Sequence, residues 1–565
     1  MNIKKLYILT AGAMMAGMSL TSCSEDFLDV ESKTEVNSQT FYKSEGDAWR
    51  ALIGCYAGWR ETTSNGNGLP LPFSTMIMSD ECFAGAGMAD AKNYSIADEF
   101  DMSPAPSYTS LWEGDWKAYY VAIDRCNELI TREEQINWKS EETRGKYMGE
   151  ARALRAICYF DMVRMFENIP LLTEPSAANV EQAAPDSVYS LIFSDLKYAA
   201  ENIPANAYPK SQAASNDGHV TRYGAAGMLA RAYLYYKGRF NKEPEWCTQA
   251  DALAACEEII ASGEFKLIDQ FKNLWPASSS PALEKEKCST FDEWIAQTTY
   301  AGEGNSEFII SMKCNYTQDY NGNNDGNRWI VNIGIRNIDS SPYGKGWGIC
   351  SVNPQLVEAY GIGDQRMSAS IIDHKAEGID KISTFNDKCL MDSRQYTGYT
   401  VKKYTPMACT DGTSLAKVWG SPDDFMLNQW QDVIVLRYSD VLLMAAELGS
   451  PNAQQYFNEV RMRAYRQDDG TIHAGYTEIA ATKENIMNER RLEFAFEGIR
   501  YYDLLRQGID VAANAIATTQ PVTSGGQPDV VTIKAENIKA KNGLCQIPMN
   551  QITLSNNVLK QNPGW

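Results

Sequence analysis

The chain has 565 residues, 44% of them apolar, with 72 acidic residues against 52 basic ones and a net charge of −20. That charge has the wrong sign to displace counterions from phosphate, which excludes a nucleic-acid partner. Three scattered histidines, His219, His374 and His473, and the lack of any HExxH, GxSxG, CxxC or phosphate-loop pattern remove the common signatures of metallohydrolases, serine hydrolases, zinc ribbons and nucleotide enzymes.

In chain order, Lys4 and Lys5 precede an apolar run from Leu6 to Leu20, too short to span a bilayer and shaped like a secretory signal. Leu20-Thr21-Ser22-Cys23 resembles the bacterial lipoprotein box, so residues 1–22 are expected to be cleaved and Cys23 to become the lipidated first residue. Several acyl chains on one residue hold a protein stably to a membrane. Loss of the signal removes two lysines and no carboxylate, taking the net charge to −22. Residues 23–38 read as a polar tether. Residues 39–565 read as one domain, divided into helical repeats (39–266), a loop-rich ligand region (267–430) and C-terminal helices with a tail (431–565).

Helices dominate from Ser44. Trp112, Trp116, Tyr119, Ile123, Cys126 and Ile130 recur at helical spacing within Leu111 to Thr131, and Leu154, Ile157, Cys158, Met162 and Met165 do so in a helix from about Glu142 to Phe166. Further helices are predicted over Ser187–Asn202, Arg222–Tyr236 and Ala250–Ala261. The second of these is capped by Thr221, stops at Gly238 and packs closely through Ala225, Ala226, Ala230 and Ala232. This is the pattern of stacked, tetratricopeptide-like hairpins. From about Leu267 to Trp430, Gly, Asn, Ser, Pro and aromatics crowd together, and a loop region of that length is usually functional. Helices return at Tyr438–Leu448, Asn452–Tyr465 and Thr482–Arg506. The cysteines beyond Cys23 read as small buried apolar residues, with a Cys247–Cys256 disulfide left open.

Several segments, in order, resemble the SusD/RagB family of outer-membrane nutrient-binding lipoproteins. They are Trp112 to Ile130, Gly149 to Pro175, Val220 to Gly238, Asn353-Pro354 through Gly363-Asp364-Gln365-Arg366, Arg437 to Glu447, Glu489 to Arg506, and the closing Asn562-Pro563-Gly564-Trp565. The resemblance implies a mainly α fold with tetratricopeptide-like hairpins, and a lipid-anchored location on the outer face of the outer membrane. It also implies capture of an oligosaccharide for a SusC-like TonB-dependent transporter, with no covalent chemistry. Ser24-Glu25-Asp26 looks like the acidic export tag of such surface lipoproteins. Peptide cargo, as in RagB-like proteins, and a surface glycoside hydrolase are the alternative readings. Within the C-terminal helix, Arg490 with Glu493 and Glu497 with Arg500 are spaced to pair along one face, a structural rather than catalytic role.

A neutral sugar presents a C–H face for aromatic stacking and hydroxyls for hydrogen bonds. Two segments mix those partners: Met78 to Tyr108, with Asp80, Phe83, Asn93, Tyr94 and Tyr108, and Asn315 to Trp347, with Tyr316, Tyr320, Asn323, Asn324, Arg328, Trp329, Tyr343 and Trp347. The candidate ligand residues are Asp80, Phe83, Tyr94, Tyr316, Tyr320, Asn323, Trp329 and Trp347; for each ring the alternative is burial as core, and for Asp80 it is the capping of a turn. No cofactor is expected. Asn321-Asn323-Asp325-Gly326 imitates a calcium loop, but positions one and twelve, Asn321 and Asn332, are not carboxylates; calcium elsewhere stays open.

Overall fold

The computed structural model describes residues 41–64, 69–213, 218–316, 326–421 and 429–565. The principal helices of the first half are α1 (Glu45–Ser64), α2 (Glu113–Thr131), α3 (Glu141–Phe166), α4 (Pro185–Asn202), α5 (Arg222–Phe240) and α6 (Gln249–Ser262). The starts of α3, α5 and α6 follow from side chains that satisfy the free N–H groups of a first turn, whereas α2 and α4 start without a side-chain cap. The Ser140 hydroxyl accepts from Glu142 and Thr143 at the start of α3, and Thr221 accepts from Gly224 at the start of α5. Thr248 and Asp251 form a reciprocal capping box on α6. Successive helices pack on one another, α1 on α2, α2 on α3, and so on to α6. Trp116, Tyr119, Ile123 and Cys126 of α2 are buried at these contacts, as are the four predicted alanines of α5.

The C-terminal part adds α7 (Tyr438–Glu447), α8 (Ala453–Ala464), α9 (Lys483–Glu493) and α10 (Arg500–Leu505). The single helix expected from Thr482 to Arg506 is therefore two. Phe496 and Gly498, at φ 66° and 75°, turn the chain between them, a left-handed excursion that no helix interior accommodates. Gly238 also has a different role from the predicted stop. α5 runs through it to Phe240 and ends at Asn241, at φ 49°. A Cβ on Gly238 would stand 2.2 Å from the backbone oxygen of Arg506, so the missing side chain is what lets the end of α10 approach α5.

Strands are short and were not foreseen. The longest are β1 (Cys82–Gly85), β2 (Phe308–Met312), β3 (Ile349–Val352), β4 (Val433–Arg437), β5 (Thr518–Ser524) and β6 (Gln527–Ile533). They pair antiparallel as β1 with β3, β2 with β4, and β5 with β6, the last pair turning on Gly525 and Gly526, both at positive φ. One buried cluster runs from Tyr42 to Leu559, and a smaller aromatic one gathers Trp294 and Trp430. The twelve cysteines among the described residues are free thiols, Cys247 and Cys256 included, and eleven are buried. Among the described residues no helix is long and apolar enough to cross a membrane.

Candidate functional site

The two sugar-competent segments are distant in sequence, and the β1–β3 ladder joins them. Cys82 faces Val352 and Gly85 faces Ile349, and the Ala86 N–H donates to the Gly348 oxygen at 3.0 Å. Trp347 stands just before β3. Tyr94 follows β1 in a short helix, Asn93–Glu99. Both rings are half-buried against the core. Tyr94 meets Phe73 edge-on at 5.6 Å, and burial raises its hydroxyl above the usual tyrosine value. Trp347 is held through its backbone: its N–H donates to the Val331 oxygen (2.9 Å) and its oxygen accepts from Arg336 Nη1 (3.0 Å). The same guanidinium pairs with Asp90 at 3.2 Å and Asp392 at 2.8 Å. A Cβ on Gly87 would lie 1.9 Å from Arg336 Nη2, so glycine at that position makes room for the clasp.

Tyr316 belongs to a second aromatic group. Its ring lies 5.6 Å from that of Trp419. Trp419 in turn meets Phe291 at 5.2 Å, Trp294 at 5.7 Å and Trp430 at 5.4 Å. Trp294 and Trp430 are buried beneath, while Phe291, Tyr300, Tyr316 and Trp419 are half-buried. The indole N–H of Trp419 donates to the Cys288 oxygen at 3.0 Å. The result is a fixed shelf of partly open rings on an aromatic base. Sequence reasoning reached Tyr316 but missed Phe291, Tyr300 and Trp419. Their available signal was aromatic density within 267–430, which does not distinguish base from rim.

Three expected ligand residues are core instead. Trp329 has no exposed surface and packs against Tyr404 at 5.2 Å. Phe83 is 1% exposed because β1 is covered on both faces, all four of its residues being buried. A ring with no open face cannot stack on a sugar. Asp80 is buried too, and neither caps a turn nor faces solvent. Its carboxylate takes both Nε and Nη2 of Arg500 (2.7 and 2.9 Å) and is paired with Arg491 (2.9 Å). Burial alone would raise its pKa, but the two guanidinium charges outweigh it and hold the carboxyl below its ordinary value. Tyr320 and Asn323 lie outside the described residues, as do the calcium-like loop residues Asn321 and Asp325, Cys23, the signal segment and the tether.

The charged run near the C-terminus is internal. Neither predicted pair along the helix forms. Arg490 reaches Asp440 and Asp503, and Glu493 takes Arg437 (2.9 Å), Arg463 (2.5 Å) and Arg366 (3.2 Å). Glu497 binds Lys403 at 2.6 Å and Arg437 at 2.8 Å, while Arg500 takes Asp80. Burial lowers the Lys403 ammonium to about 8, against the pull of Glu497. Every one of these charges is spent on another element of the fold, which leaves the run without an open reacting group.

The comparisons with known proteins cover nearly the whole chain. Residues 293–565 match the family described as "SusD family", and residues 26–234 match "Starch-binding associating with outer membrane". A SusD-like protein, P25, of Formosa agariphila is 26% identical over 516 residues, 87% of this chain and 88% of that protein. A SusD-like protein of Bacteroides ovatus is 23% identical over 530 residues, 89% and 82% of the two chains. Among solved structures, surface glycan-binding protein A of Bacteroides thetaiotaomicron in complex with laminarihexaose superposes with a TM-score of 0.69 at 22% identity, covering 92% of this chain and all of that one. A laminarin-binding SusD-like protein gives 0.68 at 25% identity, covering 93% and 100%. The helical architecture is thus shared with these proteins.

Proposed function

The chain belongs to the SusD/RagB family, and from that premise we propose that it is a cell-surface glycan-binding lipoprotein. In this reading it is anchored to the outer membrane through Cys23, captures oligosaccharide on half-open rings, and passes it unaltered to a SusC-like TonB-dependent transporter. The observation that carries the binding role is the shelf of Tyr316, Trp419 and Phe291 over buried Trp294 and Trp430. Rings held rigid by their own base lose little freedom when a sugar stacks on them. Each such contact contributes about 0.5–1.5 kcal/mol, so a useful site needs several. Tyr94 and Trp347 at the β1–β3 ladder are proposed as further ligand contacts, with the Arg336 cluster beside Trp347 supplying hydrogen bonds to hydroxyls.

Laminarin, named for one structural relative, is the first ligand to test, with laminarihexaose, named in the complex of another, beside it. Calorimetric titration of the mature protein with laminarin and other glycans is expected to show binding without release of reducing ends. Trp419→Ala and Tyr316→Ala each weaken it severalfold, while circular dichroism and melting temperature stay near those of the parent. Full affinity in both variants refutes the shelf as the site; release of reducing ends refutes the binding-only role. Cys23→Ala is expected to move the protein from the membrane fraction to the soluble one.

A further inference from the structure

His374 stands in the turn after the short strand Ile371–Asp373 and is 2% exposed. Its backbone is fixed: the N–H donates to the Gly398 oxygen at 3.0 Å, and its oxygen accepts from the Ile379 N–H at 2.8 Å. The ring is fixed too, with Nδ1 3.0 Å from the Tyr396 hydroxyl and Nε2 2.9 Å from that of Thr400. A hydroxyl donates or accepts as required, so both bonds suit a neutral imidazole in either tautomer. Neither brings a counter-charge. The ring borders a cavity of about 20 Å³, room for about one water molecule. Its other walls include Gly348 to Ser351, which run into β3, and Arg336, whose Nη1 holds the Trp347 oxygen. His374 therefore shares a cavity with the segment that presents Trp347.

An imidazolium at this place has no anion bonded to the ring and almost no solvent, the two things a buried charge needs. The cations on the cavity walls, Arg336 and Arg394, give it no compensation. The thiols of Cys350 and Cys389 and the hydroxyls of Tyr396 and Tyr399, also on the walls, take up no proton in acid. Glu377, in the same turn, is taken by Tyr343 and Lys402. Burial lowers the imidazole from 6.5 to about 4, against the pull of Asp373 and Asp380. We propose that His374 is an acid-sensitive fastening: on taking up a proton its ring leaves the cavity for water, and residues 371–401 and β3 loosen together. The unfolded chain binds this proton near pH 6.5 and the folded protein only near pH 4. This group's share of stability is thus full above pH 6.5 and is lost as pH falls from 6.5 to 4. Its bearing on the ligand rests on the reading of Trp347 as a sugar contact; the fastening itself does not.

The chain has three histidines, so nuclear magnetic resonance of the mature, histidine-labelled protein follows each ring through a pH titration. His374→Gln, which keeps a donor and an acceptor, identifies the signal. The His374 ring is expected to stay neutral down to about pH 5; a ring that titrates near 6.5 overturns the proposal. Hydrogen exchange at pH 4.5, read by mass spectrometry, is expected to run severalfold faster over 345–352 and 371–401 in the parent than in His374→Gln. At pH 7.5 the two are expected to match. Equal exchange at pH 4.5 overturns the fastening. If His374→Gln does not fold, His219→Gln and His473→Gln assign the signal by elimination, and the parent's titration decides. Laminarin affinity is expected to fall severalfold from pH 7.5 to pH 4.5 in the parent and to hold in His374→Gln. Loosened segments with unchanged affinity leave the fastening standing and remove Trp347 from the ligand contacts.

Discussion

Glu81 is a carboxyl group sealed in the interior without an ion pair of its own. Oε1 accepts from the Phe496 N–H at 3.1 Å, and Oε2 has no partner. Burial and the adjacent Asp80 charge raise its pKa from 4.5 to about 8. The folded protein thus keeps a proton that the unfolded chain releases, and this group's contribution to stability is lost as pH rises from 4.5 to 8. Glu81→Gln is expected to keep the Phe496 hydrogen bond, flatten that part of the pH profile, and gain on the order of a few kcal/mol at pH 8. Denaturant melts at pH 5 and pH 8 measure it, and an unchanged difference between them argues against a protonated Glu81. Trp329, read from sequence as a ligand ring because polar loop residues flank it, is expected to behave as core. Trp329→Ala should cost about 3–5 kcal/mol, far beyond the cost of an open ring such as Trp419. Flanking polarity misled here because a residue's neighbours in sequence do not report which side of the turn faces inward.

At the scale of elements, caps and apolar spacing gave α2 to α6 to within a few residues, because both signals are local. The break between α9 and α10 was not legible, since Glu489 to Arg506 offers helix-forming residues throughout apart from Gly498. What breaks it is the left-handed turn at Phe496 and Gly498. That turn brings Arg500 of α10 onto Asp80, the carboxylate that Arg491 of α9 also pairs with. Arg437, 1% exposed, joins Glu307, Glu493 and Glu497. Arg437→Met leaves those carboxylates undercompensated in the interior and is expected to cost about 3–5 kcal/mol, or to prevent folding, as read by soluble yield and denaturant midpoint. Gly238→Ala gains about 1 kcal/mol of helix propensity but drives a methyl into the Arg506 carbonyl. The net loss expected is about 1–2 kcal/mol, and a gain in stability would show that α5 and α10 can separate freely.

Over the whole molecule, the buried cluster from Tyr42 to Leu559 crosses both boundaries drawn in the sequence, near 267 and 430. Salt bridges such as Arg463–Glu307 and Arg500–Asp80 tie the same parts together. Calorimetry of the mature protein is therefore expected to show one main cooperative transition, and two well-separated ones would mean that the sequence segments fold as independent units. The amino-acid order alone determined the helical class, the principal helix positions and the family, because periodicity, caps and signature runs are written within a few turns of chain. It also marked where rings and polar groups mix. Tertiary structure alone decided which of those rings keep an open face. That choice depends on pairings across hundreds of residues: the β1–β3 ladder that encloses Phe83, the Tyr404 ring that covers Trp329, and the Trp294–Trp430 base that holds Trp419 at the rim. Exposure is a property of what packs against a side chain, and those partners are brought close only when the chain is folded.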